Sequence, residues 1–569
     1  MPKIPYGVSN FEKLRKKDYL YVDKTKYIEI LESYGEPYIF FLRPRRFGKT
    51  LFLSTLEHYY DLNKEADFEE LFGELYIGKN KTELANSYYI LKFDFSGLDT
   101  KDKELLRQDY LRSTLEVFKN FADKYNLDLD YTKSGSPAAI FNSFLTAVQS
   151  KIEGKIYVLI DEYDHFANEL LSFQVDTFEE TISKTGFVRK WYEVLKQGTA
   201  SGVVDRIFAT GVSPITLDSL TSGFNIAKNK SRDRNLNQMI GFTEEEVKFL
   251  LNKVLGVQNG ANEELFLRLK RYYNGYLFHE KAEQRVFNSD MILYYLSEYQ
   301  IADSEPDDLI DTNISSDYSK LSALFSLKNK ERNYQILESI LEGELQEAVI
   351  TREFSLAKEF IAEDFLSLLF YLGFLTIDSS VLNLLRLKVP NYVIKELYFD
   401  FFAKLLRDET DYEIESIEIK KSIISIALEG QIDKFIELIE RTLSKLSSRD
   451  YINFDEKYIK LIMLSYLFLS RVYYVKSEYE VEDGYIDIAL LERSGVKPEY
   501  EAIIELKYLK KSEYQHRGKA AVASKLAAGK EQILKYQQAE ELREKENLEK
   551  WVLVFVGEEC VEVQRIKDR

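Results

Sequence analysis

Apolar positions along the chain change period several times, and each change marks an element. Residues 38–42 (YIFFL) form a short apolar run, a polar turn with Gly48 follows, and residues 50–60 (TLFLSTLEHYY) carry apolar positions at helical spacing. This predicts strand, loop and helix. Residues 88–95 (YYILKFDF), 156–160 (IYVLI) and 204–210 (VDRIFAT) read as further buried strands, separated by helical patterns, notably at 101–125 and 187–198. Buried strands alternating with helices predict a parallel sheet covered on both faces. Residues 1–242 are expected to form this α/β domain.

Thr243 precedes Glu244, Glu245 and Glu246 and an apolar periodic run, a capped helix start with Glu246 three residues on. Residues 243–300 are expected to be a helical lid or adaptor. Residues 301–317 are polar and acidic, as in a linker, and the pattern from about 318 to 455 is almost wholly helical, so 301–455 reads as a helical linker region. The last segment, 456–569, differs: a helix at 456–470, extended segments at 471–479, 485–492 and 501–508, a helix over about 519–547 and a strand at 551–556. It predicts a small C-terminal α/β domain. The apolar runs 365–377 and 461–470 fall short of the ~20 residues needed to span a bilayer, and both are expected to be buried helices.

Composition narrows the partners. The 569 residues carry a net charge of −18, so nucleic acid can be held only by a local basic patch. Tyr (40) and Phe (37) are plentiful while Gly (25) and Pro (9) are scarce, which leaves little room for flexible linkers. The single cysteine, Cys560, excludes an intramolecular disulfide and a cysteine-rich zinc site. The first residues, MPKIP, lack the apolar core of a signal peptide, and a cytoplasmic protein with no membrane partner is expected.

Candidate chemistry sits at two places. Between the first strand and its helix the chain reads Arg43-Pro44-Arg45-Arg46-Phe47-Gly48-Lys49-Thr50. Phosphates need backbone N–H donors at a helix N-terminus, a bridging lysine and a hydroxyl for Mg²⁺, and Gly48, Lys49 and Thr50 provide these in order. The usual first glycine of GxxxxGK[ST] is Arg43 here. The strand 156–160 ends in Asp161-Glu162; an acid there can anchor Mg²⁺, and the next can polarise water. Both can equally just terminate a strand. Thr210, ending the fourth strand, can sense the γ-phosphate or cap a turn. Arg43, Arg45 and Arg46 can neutralise phosphate charge or form a solvated loop. The expected ATP-binding set is Arg46, Phe47, Gly48, Lys49, Thr50, Asp161 and Thr210, with Thr50 and Asp161 on Mg²⁺ and Glu162 catalytic.

RPRRFGKT with downstream LIDEYD and FATGVSP resembles a group of prokaryotic AAA-ATPase-like proteins. IPYGVSNFEKLRKKDYLYVDKT, GFTEEEV at 241–247, YNGYLF at 273–278 and VFNSDMILYYL extend the resemblance over residues 4–300. It implies a P-loop NTPase fold and ATP binding and hydrolysis. Members of the group also lack the first P-loop glycine. AAA-type sites are often completed by a neighbouring copy, so a homo-oligomer is compatible with this reading.

The second place is C-terminal. Asp487 lies on one extended segment, and Glu505 and Lys507 lie two apart on the next, which puts both on one strand face. Carboxylates bind Mg²⁺, and a nearby lysine can orient or deprotonate water for phosphodiester attack. Solvent-facing alternation on two strands is the competing reading. The layout over residues 450–550 resembles the PD-(D/E)XK nuclease superfamily. The resemblance implies a restriction-endonuclease-like fold with Asp487, Glu505 and Lys507 as the catalytic set and Asp487 and Glu505 as metal ligands. Gln532 and Glu478 are further candidates. Residues 505–535 carry a net charge of +5, a patch that can hold DNA or, less favoured, RNA. Tyr508, Tyr514 and Tyr536 among the lysines can stack on bases or fill the core.

These readings predict an ATPase coupled to a metal-dependent nuclease, with defence against foreign nucleic acid suggested by analogy. The alternative is an ATP-driven switch or scaffold whose C-terminal domain binds nucleic acid or protein without cutting.

Overall fold

The computed structural model describes residues 1–165, 186–214, 226–256, 260–311, 321–325, 329–351, 360–410, 415–446, 455–481, 484–493, 495–537, 539–543 and 545–567. By internal packing the chain divides into two units: Met1–Asp303 with Asp308–Val393, and Ser304–Asp307 with Ile394–Arg569.

The first unit is built on five parallel strands, β1 (Tyr38–Leu42), β2 (Tyr88–Asp94), β3 (Lys155–Asp161), β4 (Val204–Gly211) and the short β5 (Lys228–Asn229), in the order β2-β3-β4-β1-β5. The central strands are buried on both faces, which is why they read as unbroken apolar runs. Helices α1 (Lys49–Tyr60), α2 (Lys103–Lys124), α3 (Pro137–Gln149) and α4 (Phe187–Ala200) connect them. Aromatic rings fill the core: Trp191 on α4 packs against Phe93, Phe95, Tyr110 and Phe141.

Thr243 caps α5 (Glu244–Leu255) through a complete capping box with Glu246. Helices α6 (Ala261–Tyr273) and α7 (Ser289–Ala302) follow. Beyond them the helical expectation needs correction. Helix α8 (Lys330–Leu341) is followed by a strand β6 (Gln346–Ala348), helix α9 (Ala362–Leu372) and a hairpin β7 (Thr376–Val381) and β8 (Leu384–Lys388), giving an antiparallel sheet β6-β8-β7. The turn is Leu382-Asn383, and its left-handed position is taken by exposed Leu382 at φ 57° rather than by the Gly or Asn that such a position favours. The apolar run 365–377 is likewise helix only as far as Leu372, and its last two residues, Thr376 and Ile377, begin β7. Gly373 adopts φ 85°, ends α9, and an added Cβ would sit 2.8 Å from Pro44.

In the second unit, α10 (Tyr392–Thr410), which begins at the unit boundary, α11 (Ser416–Glu429), α12 (Asp433–Leu446) and the apolar α13 (Glu456–Ser470) lead into a mixed sheet. Its order is β13-β12-β11-β10-β9, with β9 (Tyr473–Val481), β10 (Gly484–Glu492), β11 (Glu501–Leu509), β12 (Leu548–Val556) and a strand not expected from sequence, β13 (Glu559–Arg565). Only β11 and β12 run parallel, and α14 (Lys519–Tyr536) lies between them in the chain and packs on them. Among the described residues no helix is long and apolar enough to cross a membrane.

Candidate functional sites

At the carboxyl ends of β1 and β3, where open α/β sheets hold their ligands, lies a cavity of about 520 Å³. Arg45, Arg46, Phe47, Gly48, Lys49 and Thr50 wall it on one side and Asp161 and Glu162 on another. Gly48, at φ 95°, turns the loop into α1. The Lys49 side chain is 4% exposed; its Nζ donates to Pro44 O at 3.2 Å and lies 3.7 Å from Glu162 Oε1. The Thr50 hydroxyl donates to Asp161. Burial, and then the neighbouring Glu162 charge, push the Asp161 carboxyl up to about 6. Glu162 sits at φ 50°, a strained conformation for a residue with a side chain.

Two anchors hold the phosphate loop from behind. Arg43 is 1% exposed and donates to Leu42 O, Ser231 O and Leu236 O at 2.9, 2.6 and 3.0 Å. Its guanidinium lies between the rings of Phe41 and Phe278, 4.3 and 4.0 Å from their centroids. Arg43 is therefore not part of a solvated loop, and it is not among the residues that line the cavity. Phe47 packs edge-on against Tyr276 and Phe278. Thr210 is also turned inward, its hydroxyl donating to Phe41 O at 2.9 Å within the sheet rather than facing the cavity.

Helix α7 contributes residues that no local pattern in the loop announced. Asn288 Nδ2 donates to Arg45 O, Ser289 Oγ and Asp290 N donate to Arg46 O, and Asp290 pairs with Arg46 at 3.2 Å. Asp94, beside Asp161 in the β2–β3 register, also lines the cavity. Asp164 is fully buried and accepts the Val212 and Ser213 N–H groups, tying the end of β3 to the segment after β4.

In the second unit, β10 and β11 pair from Leu490↔Ala502 to Ile488↔Ile504 and then part. Asp487 and Glu505 come next on each strand, at the opening. There the Leu506 N–H turns to Asp487 Oδ2 at 2.8 Å instead of a strand carbonyl. Lys507 Nζ donates to Glu505 Oε1 at 2.7 Å, so the two share a face. Glu505 is 2% exposed, and its Oε2 is buried without a hydrogen-bond partner among the described residues. Burial, then the charge of Asp487, push the Glu505 carboxyl up to about 7. Burial also raises Asp487, offset only in part by the Leu506 N–H, Lys460 and Lys507. For the Lys507 ammonium, burial is outweighed by Glu505 and Asp487, which hold it above its ordinary value.

A buried carboxylate oxygen lacking a donor suits a cation. Among the described residues no group of three or more His, Cys, Asp and Glu is placed to hold a metal. Mg²⁺ needs no such group, since it is commonly held by one or two carboxylates with water and substrate phosphate. Asp487 and Glu505 therefore fit it. Helix α13 adds two residues that sequence spacing did not reveal. Glu456 accepts the Tyr508 N–H at 3.1 Å, and Lys460 pairs with Glu478 and lies 3.7 Å from Asp487. Helix α14 crosses close above, because an added Cβ at Gly529 would lie 2.6 Å from Val552 and 3.6 Å from Glu505 Cγ. Gln532 on that helix donates to Tyr536 at 3.4 Å. Tyr536 is core and Tyr514 packs against it, which leaves Tyr508 as the aromatic of the three outside that core.

Residues 5–221 match the family model described as Predicted AAA-ATPase, and residues 454–565 match that of the PD-(D/E)XK nuclease superfamily. The chain joins an AAA-ATPase-like domain to a PD-(D/E)XK superfamily domain. An uncharacterized protein in the vnfD 5′ region of Azotobacter chroococcum mcd 1 is 28% identical over 294 residues, 52% of this chain and 52% of that protein. The chain thus aligns with about half the length of this relative. The AAA-ATPase-like match includes the phosphate loop, Asp161 and Glu162, whereas Asn288–Asp290 lie beyond it. The superfamily match includes Asp487, Glu505 and Lys507 together with Glu456 and Lys460.

Proposed function

We propose that this protein is an ATP-hydrolysing nuclease of the cytoplasm, in which nucleotide turnover in the AAA-ATPase-like domain licenses metal-dependent cleavage of DNA, or RNA, by the PD-(D/E)XK domain. The observation that carries the reading is Glu505: a buried carboxylate with one oxygen on Lys507 and the other without a donor, beside Asp487. Asp487 and Glu505 are assigned as ligands of Mg²⁺, which when bound supplies Lewis-acid stabilisation of a phosphoryl oxygen and a more acidic water. Lys507 orients that water and screens the phosphate. Exposed Lys510, Lys519 and Lys530, with Lys525 near Glu456, support phosphate contacts despite the acidic chain as a whole.

At the first site Lys49 bridges the phosphates, Thr50 and Asp161 hold the Mg²⁺ of ATP·Mg, and Glu162 leaves Lys49 to polarise the attacking water. Arg46 is assigned to the phosphates and Thr210 to the support of β1 behind them. Defence against foreign nucleic acid is the role this chemistry suits.

The test is cleavage of plasmid, linear duplex, single-stranded DNA and RNA by the full chain with Mg²⁺ or Mn²⁺, with and without ATP, beside Glu505→Ala. Metal-dependent cutting lost in the variant, with ATPase intact, supports the reading. Absence of cutting under every condition, with ATP hydrolysis retained, replaces it with the switch or scaffold.

A further inference from the structure

Lys460 occupies an unusual position for a lysine. Its side chain is 12% exposed and spans two carboxylates, the inner Asp487 (14% exposed) at 3.7 Å and the outer Glu478 (47% exposed). Glu478 lies in β9 yet adopts φ 51°, a left-handed conformation that a non-glycine residue holds only when its surroundings enforce it. Behind them, half-buried Lys395 on α10 donates to Ser477 Oγ at 2.6 Å. Burial, and then the charge of Lys460, push that ammonium down to about 8. Lys460 is therefore repelled from one side and shared between two acids on the other.

One oxygen of Asp487 is committed to the Leu506 N–H. The other, Oδ1, is the one Lys460 faces, and it is the oxygen left for a metal. An ammonium and a divalent cation cannot both lie against the same carboxylate oxygen without strong repulsion. Glu478 offers the displaced ammonium a more exposed partner already in contact. We propose that Lys460 is a built-in competitor for the divalent cation at Asp487, and that Glu478 receives its ammonium when the metal binds. The proposal rests on the assignment of Asp487 and Glu505 as metal ligands. It makes Lys460 a positioning residue that lowers the affinity of the site for the metal without abolishing it.

The test titrates Mn²⁺ alone into the full chain without nucleotide, by calorimetry and by loss of the free Mn²⁺ paramagnetic resonance signal. The Glu505→Ala variant defines the share due to this site. Lys460→Met is expected to bind at least about tenfold tighter, near the low end of what one charge at this distance contributes, because the displaced ammonium keeps Glu478 as a partner. Glu478→Gln is expected to bind several-fold weaker, Lys460→Arg like the parent, and Lys460→Met/Glu478→Gln like Lys460→Met. Loss of Lys460 relieves the repulsion on Lys395, so Lys460→Met is expected to fold. Glu505-dependent binding that is unchanged or weakened in Lys460→Met overturns the role of Lys460 alone. Absence of any Glu505-dependent Mn²⁺ binding overturns the metal-site reading and this inference with it.

Discussion

Replacing Arg43 by glycine would complete the GxxxxGKT pattern, and by motif alone the change should be harmless or helpful. The structure predicts the reverse. Arg43 makes three hydrogen bonds to backbone carbonyls and packs between two rings. Charge-assisted bonds of this kind are worth ~1.5–3 kcal/mol each, and a desolvated cation–ring contact about 2 kcal/mol. Acting the other way is the cost of burying a guanidinium with no carboxylate beside it. Burial lowers its pKa from 12.5 to about 9, a penalty of about 5 kcal/mol. With three bonds and two ring contacts set against that penalty, the balance is a loss of about 4–8 kcal/mol for Arg43→Gly. Arg43→Met, which keeps the apolar stem but no donors, is expected to lose nearly as much. The chain holds two tryptophans, Trp191 in the first unit and Trp551 in the second. In a Trp551→Phe background, denaturant unfolding followed by fluorescence therefore reports the first unit. An unfolding midpoint equal to the parent's, with ATP binding equal or tighter in Arg43→Gly, would refute the reasoning.

Further consequences can be checked separately. Glu162→Gln frees Lys49 from its 3.7 Å partner and is expected to keep or tighten ATP binding while hydrolysis falls by about 100-fold or more; equal turnover would remove Glu162 from the chemistry. Gly529→Ala gains ~1 kcal/mol of helix propensity but must relieve a 2.6 Å contact with Val552, an overpacking cost of ~1–3 kcal/mol. A net loss in the transition reported by Trp551 is expected, and a gain would show that α14 shifts freely. Burial holds the Glu396 carboxyl at about 7 against an ordinary 4.5, with Arg493 at 3.0 Å offsetting this only in part. The folded state then binds more protons than the unfolded state between those values, so this contribution to stability falls as pH rises from 4.5 to about 7. Glu396→Gln should flatten that descent, and an unchanged stability-versus-pH slope in the second unit would contradict the assignment.

What the sequence determined by itself was local. The run YIFFL, the turn at Gly48 and the following helical period identify strand, loop and helix because all three depend on neighbours within one turn of chain. The two-residue spacing of Glu505 and Lys507 places them on one face by the strand's own period. The Thr243–Glu246 capping box is equally local. Tertiary structure alone decided what distant segments do to those elements. Arg43 resembles a phosphate ligand in the sequence, but packing against Phe278 and the carbonyls of Ser231 and Leu236 makes it a buried anchor. Thr210 turns to Phe41 because β4 lies beside β1, a neighbour no spacing reveals. Asn288–Asp290 reach the phosphate loop across 243 or more residues, and Lys460 meets Asp487 only because α13 packs on the sheet. The break at Gly373 escaped the helical pattern because apolar residues continue across it from Phe365 to Ile377, so hydrophobic period does not show where α9 ends and backbone conformation decides.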